Sequence, residues 1–106
     1  MTRDDDERFN IETPLGSSVR TSNRHWSALI EKHPYLEDIE HFIQLALSQR
    51  EEVRRSSKDP DVILFYFQIK FRRWAVAVTR QLEKEGFLIT AYQTGAIKEG
   101  EILWPT

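Results

Sequence analysis

Histidine, arginine, lysine and threonine side chains occur in this chain in a combination that could act on a phosphodiester. Cutting RNA without a metal needs a group that takes the proton from a 2′-hydroxyl, a cation that stabilises the pentavalent phosphate, and an acid for the leaving oxygen. The side chains that could fill these roles are those of His33, Arg54, Arg55, Lys70, Thr90 and Thr94. They converge only if the end of a helix, the first strand of the sheet and its last strand meet at one edge.

The stretch Gly86–Trp104 supplies the hydroxyl groups. Successive side chains of a β-strand point to opposite faces, which predicts one apolar face and one hydroxyl-bearing face here. The apolar face would carry Phe87, Ile89 and Ala91, and the other face Thr90, Tyr92 and Thr94. We expect the hydroxyl-bearing face to be solvated.

Other kinds of site are poorly supported by the sequence. His25, His33 and His41 lack the HxxxH or HxH spacing of metal ligands, and the chain has neither a glycine-rich phosphate loop nor cysteine. We therefore expect no metal and no cofactor. Simpler interpretations stay open for the candidates themselves, because His33 could hydrogen-bond a backbone carbonyl and the cations of Arg54–Lys58 could protect an edge strand from aggregation.

The composition is that of a globular domain, with 106 residues of which 40% are hydrophobic and 30% charged, and it predicts a single domain over residues 1–106. There is no apolar run of about 18 residues, so no membrane span or secretory signal is expected. The lack of cysteine suits a reducing cytoplasm.

The net charge of −2 hides a basic segment, because residues 50–84 carry nine basic and five acidic side chains. Such a segment could attract phosphate, although a solvated mixed-charge surface is the simpler interpretation.

Two helices are predicted from the hydrophobic periodicity. Residues 1–8 are rich in charge, which predicts a disordered tail. A cap among residues 21–23 would start the first helix, and Pro34 would end it. The apolar face of this helix would carry Trp26, Leu29, Ile30 and His33. The second helix is predicted over Leu36–Ser48.

The hydrophobic period changes to two after the helices, which predicts strands. Besides a short strand near Val19 and Arg20, the expected strands are 53–57, 62–71, 74–80 and a last strand within 86–104. The expected fold class is therefore α+β, with two N-terminal helices packed on one face of an antiparallel sheet of about four strands.

The alternation also predicts which side chains face the helices. The first helix-facing set is Ile63, Phe65, Phe67, Ile69 and Phe71. In the next strand the bulky Trp74, Val76 and Val78 are expected to face the helices, with the small Ala75, Ala77 and Thr79 opposite them. The helix-free face would then present Tyr66, Gln68, Lys70, Thr79, Thr90, Tyr92 and Thr94.

Four segments together resemble a known family: RHWSALIEKHP, SSKDPDVILFYF, WAVAV and GFLITAYQTGAIKEGEILW. They resemble the small nuclease-like domains of the Barnase, EndoU, colicin and RelE group, called the BECR fold. The resemblance implies metal-independent RNA cleavage by a toxin or effector. His33 would then be an acid or base, Arg55 or a neighbouring cation would contact phosphate, and Thr90 and Thr94 would line the site. Substrate contacts would come from Arg54, Lys58, Tyr66, Lys70 and Tyr92.

Two positions depart from the pattern of related sequences. Ala28 stands where they carry a histidine two residues after the tryptophan, and Tyr35 replaces the glutamate of an HPE motif. The alternative hypothesis is therefore a catalytically inactive module that binds RNA or protein on the same fold. The partners expected are RNA and an acidic antitoxin or immunity protein, in the cytoplasm and without a membrane; the sequence leaves the oligomeric state open.

Overall fold

A computed structural model of the chain describes residues 6–49, 51–97 and 100–105. It has two helices and seven strands in these residues. The elements in chain order are β1 (Glu7–Glu12), β2 (Ser18–Ser22), α1 (Asn23–Lys32), α2 (Leu36–Ser48), β3 (Glu52–Arg55), β4 (Val62–Lys70), β5 (Arg73–Leu82), β6 (Glu85–Thr94) and β7 (Glu101–Trp104). Neither helix is long and apolar enough to cross a membrane.

All seven described strands form one sheet, in the order β1-β2-β6-β5-β4-β3-β7. The β2–β6 pair is parallel and the other neighbouring pairs are antiparallel. The predicted antiparallel sheet of about four strands with two N-terminal helices is therefore wrong. Three further strands extend the sheet. Two of them, β1 and β2, precede the helices, and β2 contains the short strand predicted near Val19 and Arg20.

The edge strands explain the error. β1 begins at Glu7, inside the predicted tail of residues 1–8, and its polar side chains face solvent. Phe9 is nevertheless buried and Ile11 packs on the core, so the strand is held by apolar burial on one face only. At the other edge β7 pairs with β3, so Arg54 and Arg55 do not lie on an edge strand.

The helices follow the local sequence signals. The Ser22 hydroxyl caps α1 by accepting a hydrogen bond of 3.0 Å from the backbone N–H of His25. At the other end His33 donates its backbone N–H to the Leu29 carbonyl at 2.8 Å, and Pro34 follows. The predicted bounds of α2 are confirmed, with acidic residues in its first turn.

One face of the sheet packs against the helices through the helix-side cluster. Its buried members are Phe9, Val19, Trp26, Leu29, Leu36, Ile39, Ile43, Ala46, Leu47, Val53, Ile63, Phe65, Ala75, Ala77, Leu88 and Ala91. The prediction that the bulky side chains of β5 face the helices is wrong, because Ala75 and Ala77 do so, both with 0% exposure. The short alanine side chains let α2 lie close over β4 and β5.

A β-bulge in β6 overturns a second prediction about faces. The register with β5 shifts between Val78 and Thr79, and Ile89 is left without a partner. One extra residue reverses the alternation beyond it. Leu88 and Ala91 therefore face the helices, whereas Phe87 and Ile89 are exposed.

The helix-free face carries a second apolar cluster rather than a solvated hydroxyl surface. Its members are the buried Leu64, Tyr66 and Val76, with Trp74, Val78, Tyr92 and Ile97 packed against them. Ile97 belongs to the connection from β6 to β7, which runs from one side of the sheet to its far edge. The connection thus covers part of this face with an apolar side chain. Residues 98 and 99 of the resembling segment lie outside the described residues.

Candidate functional site

Four of the predicted site residues share the helix-free face. Side chains directly opposite each other in an antiparallel pair point to the same face. Val76 is opposite both Tyr66 and Tyr92, Val78 is opposite Thr90, and Trp74 is opposite Thr94. Tyr66 is buried, and the other three are half-buried. The structure therefore groups Tyr66, Thr90, Tyr92 and Thr94, as the sequence predicted.

His33 lies away from this group. It is exposed at the C-terminal end of α1, and its ring contacts the ring of Tyr35 at a centroid distance of 6.0 Å. α1 belongs to the layer on the opposite face of the sheet from Thr90. In the described residues, no hydrogen bond, ion pair or ring contact joins His33 to Thr90, to Thr94 or to an arginine.

The predicted cations of β3 are engaged in ion pairs. Arg55 donates to Glu101 at 3.3 Å and to the Pro60 carbonyl at 2.9 Å, while Arg54 pairs with Glu52. β4 and β5 separate β3 from β6, which puts the backbones of β3 and β6 about 14 Å apart at the usual strand spacing. The predicted catalytic residues His33, Arg55, Thr90 and Thr94 thus occupy three parts of the molecule. Lys58 lies apart as well, exposed in the β3–β4 connection.

Lys70 is the remaining residue of the predicted site. It is the first residue of the β4–β5 turn region Lys70–Arg73, which we call the hairpin tip. Lys70 and Arg73 pair across the β4–β5 hairpin, and Phe71 and Arg72 form the turn. The Phe71 side chain is 82% exposed. The guanidinium of Arg72 lies 5.5 Å from the centre of its ring. Among the described residues, no carboxylate pairs with any of the three cations.

The backbone of the hairpin tip is strained. Arg72 has a φ of 57°, the left-handed conformation that glycine and asparagine adopt most readily. A non-glycine residue there costs about 1 kcal/mol or more. The turn with this backbone conformation places the Arg72 side chain beside the exposed Phe71 ring at the end of the hairpin.

The hairpin tip adjoins the end of the helix-free face. Trp74 follows the tip directly and pairs with Gln68 and with Thr94. A Cβ atom added to Gly95 would lie 3.5 Å from the Arg72 carbonyl, so the end of β6 reaches the turn. Lys70 and Thr94, predicted separately, therefore belong to one end of the sheet.

Sequence reasoning missed the aromatic member of this site. It placed Phe71 in the helix-facing set, and that prediction is wrong. The register of β4 shifts between Gln68 and Lys70, and the turn then ends the alternation before Phe71. The run KFRRW at residues 70–74, in which aromatic and basic residues are interleaved, is the signal that could have identified it.

Metal ligands are not grouped in the part of the chain that the structure describes, since no three histidine or acidic side chains there are placed to hold an ion. Comparison with protein-family models, with curated proteins and with solved structures finds no match for this chain. The resemblance to the BECR fold therefore stays a prediction, and the function has to be argued from the geometry.

Proposed function

We propose that the protein is a binding module for single-stranded RNA that contacts its ligand through the hairpin tip. The observation that carries the proposal is the exposed Phe71 ring flanked by three cations that pair with no carboxylate of the described residues. The resemblance to RNA-directed domains supports the choice of RNA. A cytoplasmic location would give the module access to that ligand.

The chemistry of the hairpin tip suits an unpaired strand. A base stacked on an exposed aromatic ring contributes about 1–3 kcal/mol, and any base can stack. Lys70, Arg72 and Arg73 would contact the flanking phosphates and release their counterions. Bases in an A-form duplex are already stacked on one another, so their faces are not free to stack on Phe71.

Binding is better supported than cleavage. The resemblance implies a ribonuclease, whose acid or base would be His33. The described contacts do not join His33 to Arg55 or to the β6 threonines, and general acid–base catalysis requires groups within hydrogen-bond reach of one substrate. Cleavage is tested separately, by analysis of the RNA after incubation with the protein.

The test is a fluorescence anisotropy titration of the protein with a labelled single-stranded RNA of about twelve nucleotides. Phe71→Ala should weaken binding by about tenfold, because one stacking interaction is lost. Arg72→Gln combined with Arg73→Gln should reduce the slope of log K against log salt by about 1.4, since each single-strand phosphate contact contributes about 0.7. The matched controls are Leu82→Ala and Lys84→Gln at the β5–β6 hairpin, which should leave affinity unchanged.

Three outcomes would contradict the proposal. Equal RNA affinity of the wild type and the Phe71→Ala variant would show that Phe71 does not stack on a base. Binding to anionic lipid vesicles in place of RNA would assign the hairpin tip to a membrane surface. RNA fragments ending in 2′,3′-cyclic phosphate in EDTA, lost in His33→Ala, would favour the ribonuclease. The acidic antitoxin or immunity partner stays a prediction.

A further inference from the structure

The tryptophan next to the hairpin tip is partly open to solvent. Trp74 is the second residue of β5, and it is half-buried on the helix-free face, where it packs against the second apolar cluster. It lies three residues after Phe71, so the Cα atoms of the two aromatic residues are at most about 11 Å apart. Both rings are therefore within reach of one short strand of nucleic acid.

An unused amide group lies directly beside Trp74. Gln68 is opposite Trp74 in the β4–β5 pair, so the two side chains share the helix-free face with their Cβ atoms about 5 Å apart. Gln68 is exposed, and its side-chain amide forms no hydrogen bond with the described residues. The amide offers a carbonyl acceptor and an NH₂ donor. A base that rests on Trp74 would therefore meet a hydrogen-bonding group at its edge.

The helix side of the same end of the sheet offers no such surface. Phe67 precedes Gln68 and faces the helices, where its ring stacks on Phe42 of α2 with the ring centroids 6.0 Å apart. α2 also carries three acidic residues and neither lysine nor arginine, so its charge would repel phosphates. A strand bound at the hairpin tip would therefore continue over the helix-free face.

The rest of the helix-free face limits the path of that strand. Glu51 accepts a hydrogen bond of 2.9 Å from the Gln68 backbone N–H, which places a carboxylate beside Gln68 at the start of β3. Farther along the face Tyr66 is only 3% exposed, and Ile97 packs on the same cluster. A phosphate would be repelled on the first side, and protein already covers the face on the second. The surface that remains next to the hairpin tip is formed by Trp74 and Gln68.

We infer that the RNA site extends from Phe71 to Trp74 and that Gln68 reads the Watson–Crick edge of the base on Trp74. This inference rests on the proposed RNA binding at the hairpin tip, to which it adds a second base and a hydrogen-bond contact. Every unpaired base offers a donor next to an acceptor on that edge, a pattern that an amide matches with two hydrogen bonds. The contact would therefore select bases that are unpaired rather than one particular base.

The first test compares an oligouridine of about twelve nucleotides, which forms no stable base pairs, with the same strand made of 3-methyluridine. The methyl group replaces the N3–H donor of each uracil, so the amide loses one hydrogen bond. The wild type should bind the methylated strand about fivefold more weakly, the usual effect of losing one hydrogen bond. Gln68→Leu should bind the unmodified strand at least about fivefold more weakly and should no longer distinguish the two strands.

Tryptophan fluorescence reports separately on Trp74. The chain has three tryptophans, of which Trp26 is 1% exposed and Trp104 packs on the helix-side cluster. RNA should therefore quench mainly the emission of Trp74, because a base stacks on its ring. Trp74→Phe keeps an aromatic ring, so it should keep most of the affinity and abolish the quenching. The matched control Trp104→Phe should retain both.

Two comparisons separate the Gln68 contact from an effect of charge and from a general effect of exposed amides. Gln68 is neutral, so Gln68→Leu should leave the salt dependence of binding unchanged, unlike the arginine variants of the hairpin tip. Asn10→Leu removes an exposed amide from the same face of the sheet at the edge strand β1. It should leave RNA affinity unchanged.

The outcomes distinguish this inference from the proposed function on which it rests. The second base site is overturned, and RNA binding at the hairpin tip stands, if Phe71→Ala loses affinity while RNA leaves the emission of Trp74 unquenched. The same holds if 3-methyluridine weakens binding equally in the wild type and in Gln68→Leu, or in neither. RNA affinity that is unaffected by Phe71→Ala, or a lack of RNA binding, would overturn both proposals.

Discussion

The ion pair between Arg8 and Glu40 gives a stability prediction that can be worked out in detail. Arg8 donates its Nε–H and one terminal N–H to the two carboxylate oxygens of Glu40, at 2.6 and 2.8 Å. It also donates to the Asn23 side chain at 3.0 Å. These bonds join the edge strand β1 to both helices. Glu40→Gln should therefore destabilise the protein by loosening β1.

The magnitude follows from the geometry and the exposure of the pair. Hydrogen bonds that involve a charged group contribute about 1.5–3 kcal/mol. The side chains are 37% exposed for Arg8 and 18% for Glu40, so solvent screening lowers this value. We expect Glu40→Gln to reduce the free energy of unfolding near neutral pH by about 1 kcal/mol, or about 4 °C in the melting temperature.

The pH dependence tests the cause. The hydrogen bond from Arg8 holds the pKa of Glu40 below its ordinary value of 4.5, against the effect of burial. A lowered pKa contributes stability that is fully present above pH 4.5 and is lost as the pH falls through the pKa of the folded state. Glutamine does not titrate. The difference in the free energy of unfolding between the wild type and Glu40→Gln should therefore be constant near neutral pH and should become smaller in acid.

The measurement is urea denaturation at several pH values, with Glu31→Gln as the matched control. Glu31 is exposed on α1 and forms no ion pair with the described residues. Asp59, whose pKa is also lowered, first by the backbone N–H of Asp61, titrates in both proteins and cancels in the comparison. A loss no larger than that of Glu31→Gln, or a difference that grows on acidification, would refute the reasoning.

Two further substitutions test the fold through their urea midpoints. Gly100→Ala should cost about 3 kcal/mol or more, because Gly100 has a φ of 94° and a Cβ atom there would meet the Arg55 carbonyl. Gly16→Ala is its control, since Gly16 has a φ of 83° in open space and should lose only the smaller cost of backbone strain. Ile97→Ser should cost about 1 kcal/mol by removing a side chain from the second apolar cluster, whereas Ile102→Ser, at a side chain 53% exposed, should cost almost nothing. Equal losses in either pair would contradict the packing described.

The elements that the sequence predicted well are those with local signals. Ser22 and Pro34 bound the first helix, and the periodicity of α2 gives its exact range. The predicted faces of β5, and of Phe87 and Ile89 in β6, are wrong because they depend on distant packing. Alternation alone does not say whether the valines or the alanines of β5 lie under α2. The bulge at Ile89 has no local signature, yet it exchanges the faces of Phe87 and Leu88 relative to the residues that follow it.

The candidate sites divide in the same way. The hydroxyl row of β6 was predictable, since Thr90, Tyr92 and Thr94 alternate strictly. The exposure of Phe71 was not, because it depends on where the β4–β5 hairpin turns. The parallel pairing of β2 with β6 was not predictable either, because it joins segments more than sixty residues apart.

The arginines set the hairpin tip apart from the rest of the described surface. Those paired with a carboxylate are Arg8, Arg20, Arg54, Arg55 and Arg80. The arginines without such a pair among the described residues are Arg24, Arg72 and Arg73. An exposed cation can remain solvated at little cost, so the lack of a pair means little by itself. At the hairpin tip, however, two of these arginines coincide with a strained backbone and an exposed phenylalanine. Local costs that coincide with unpaired charge are expected where a protein binds a ligand.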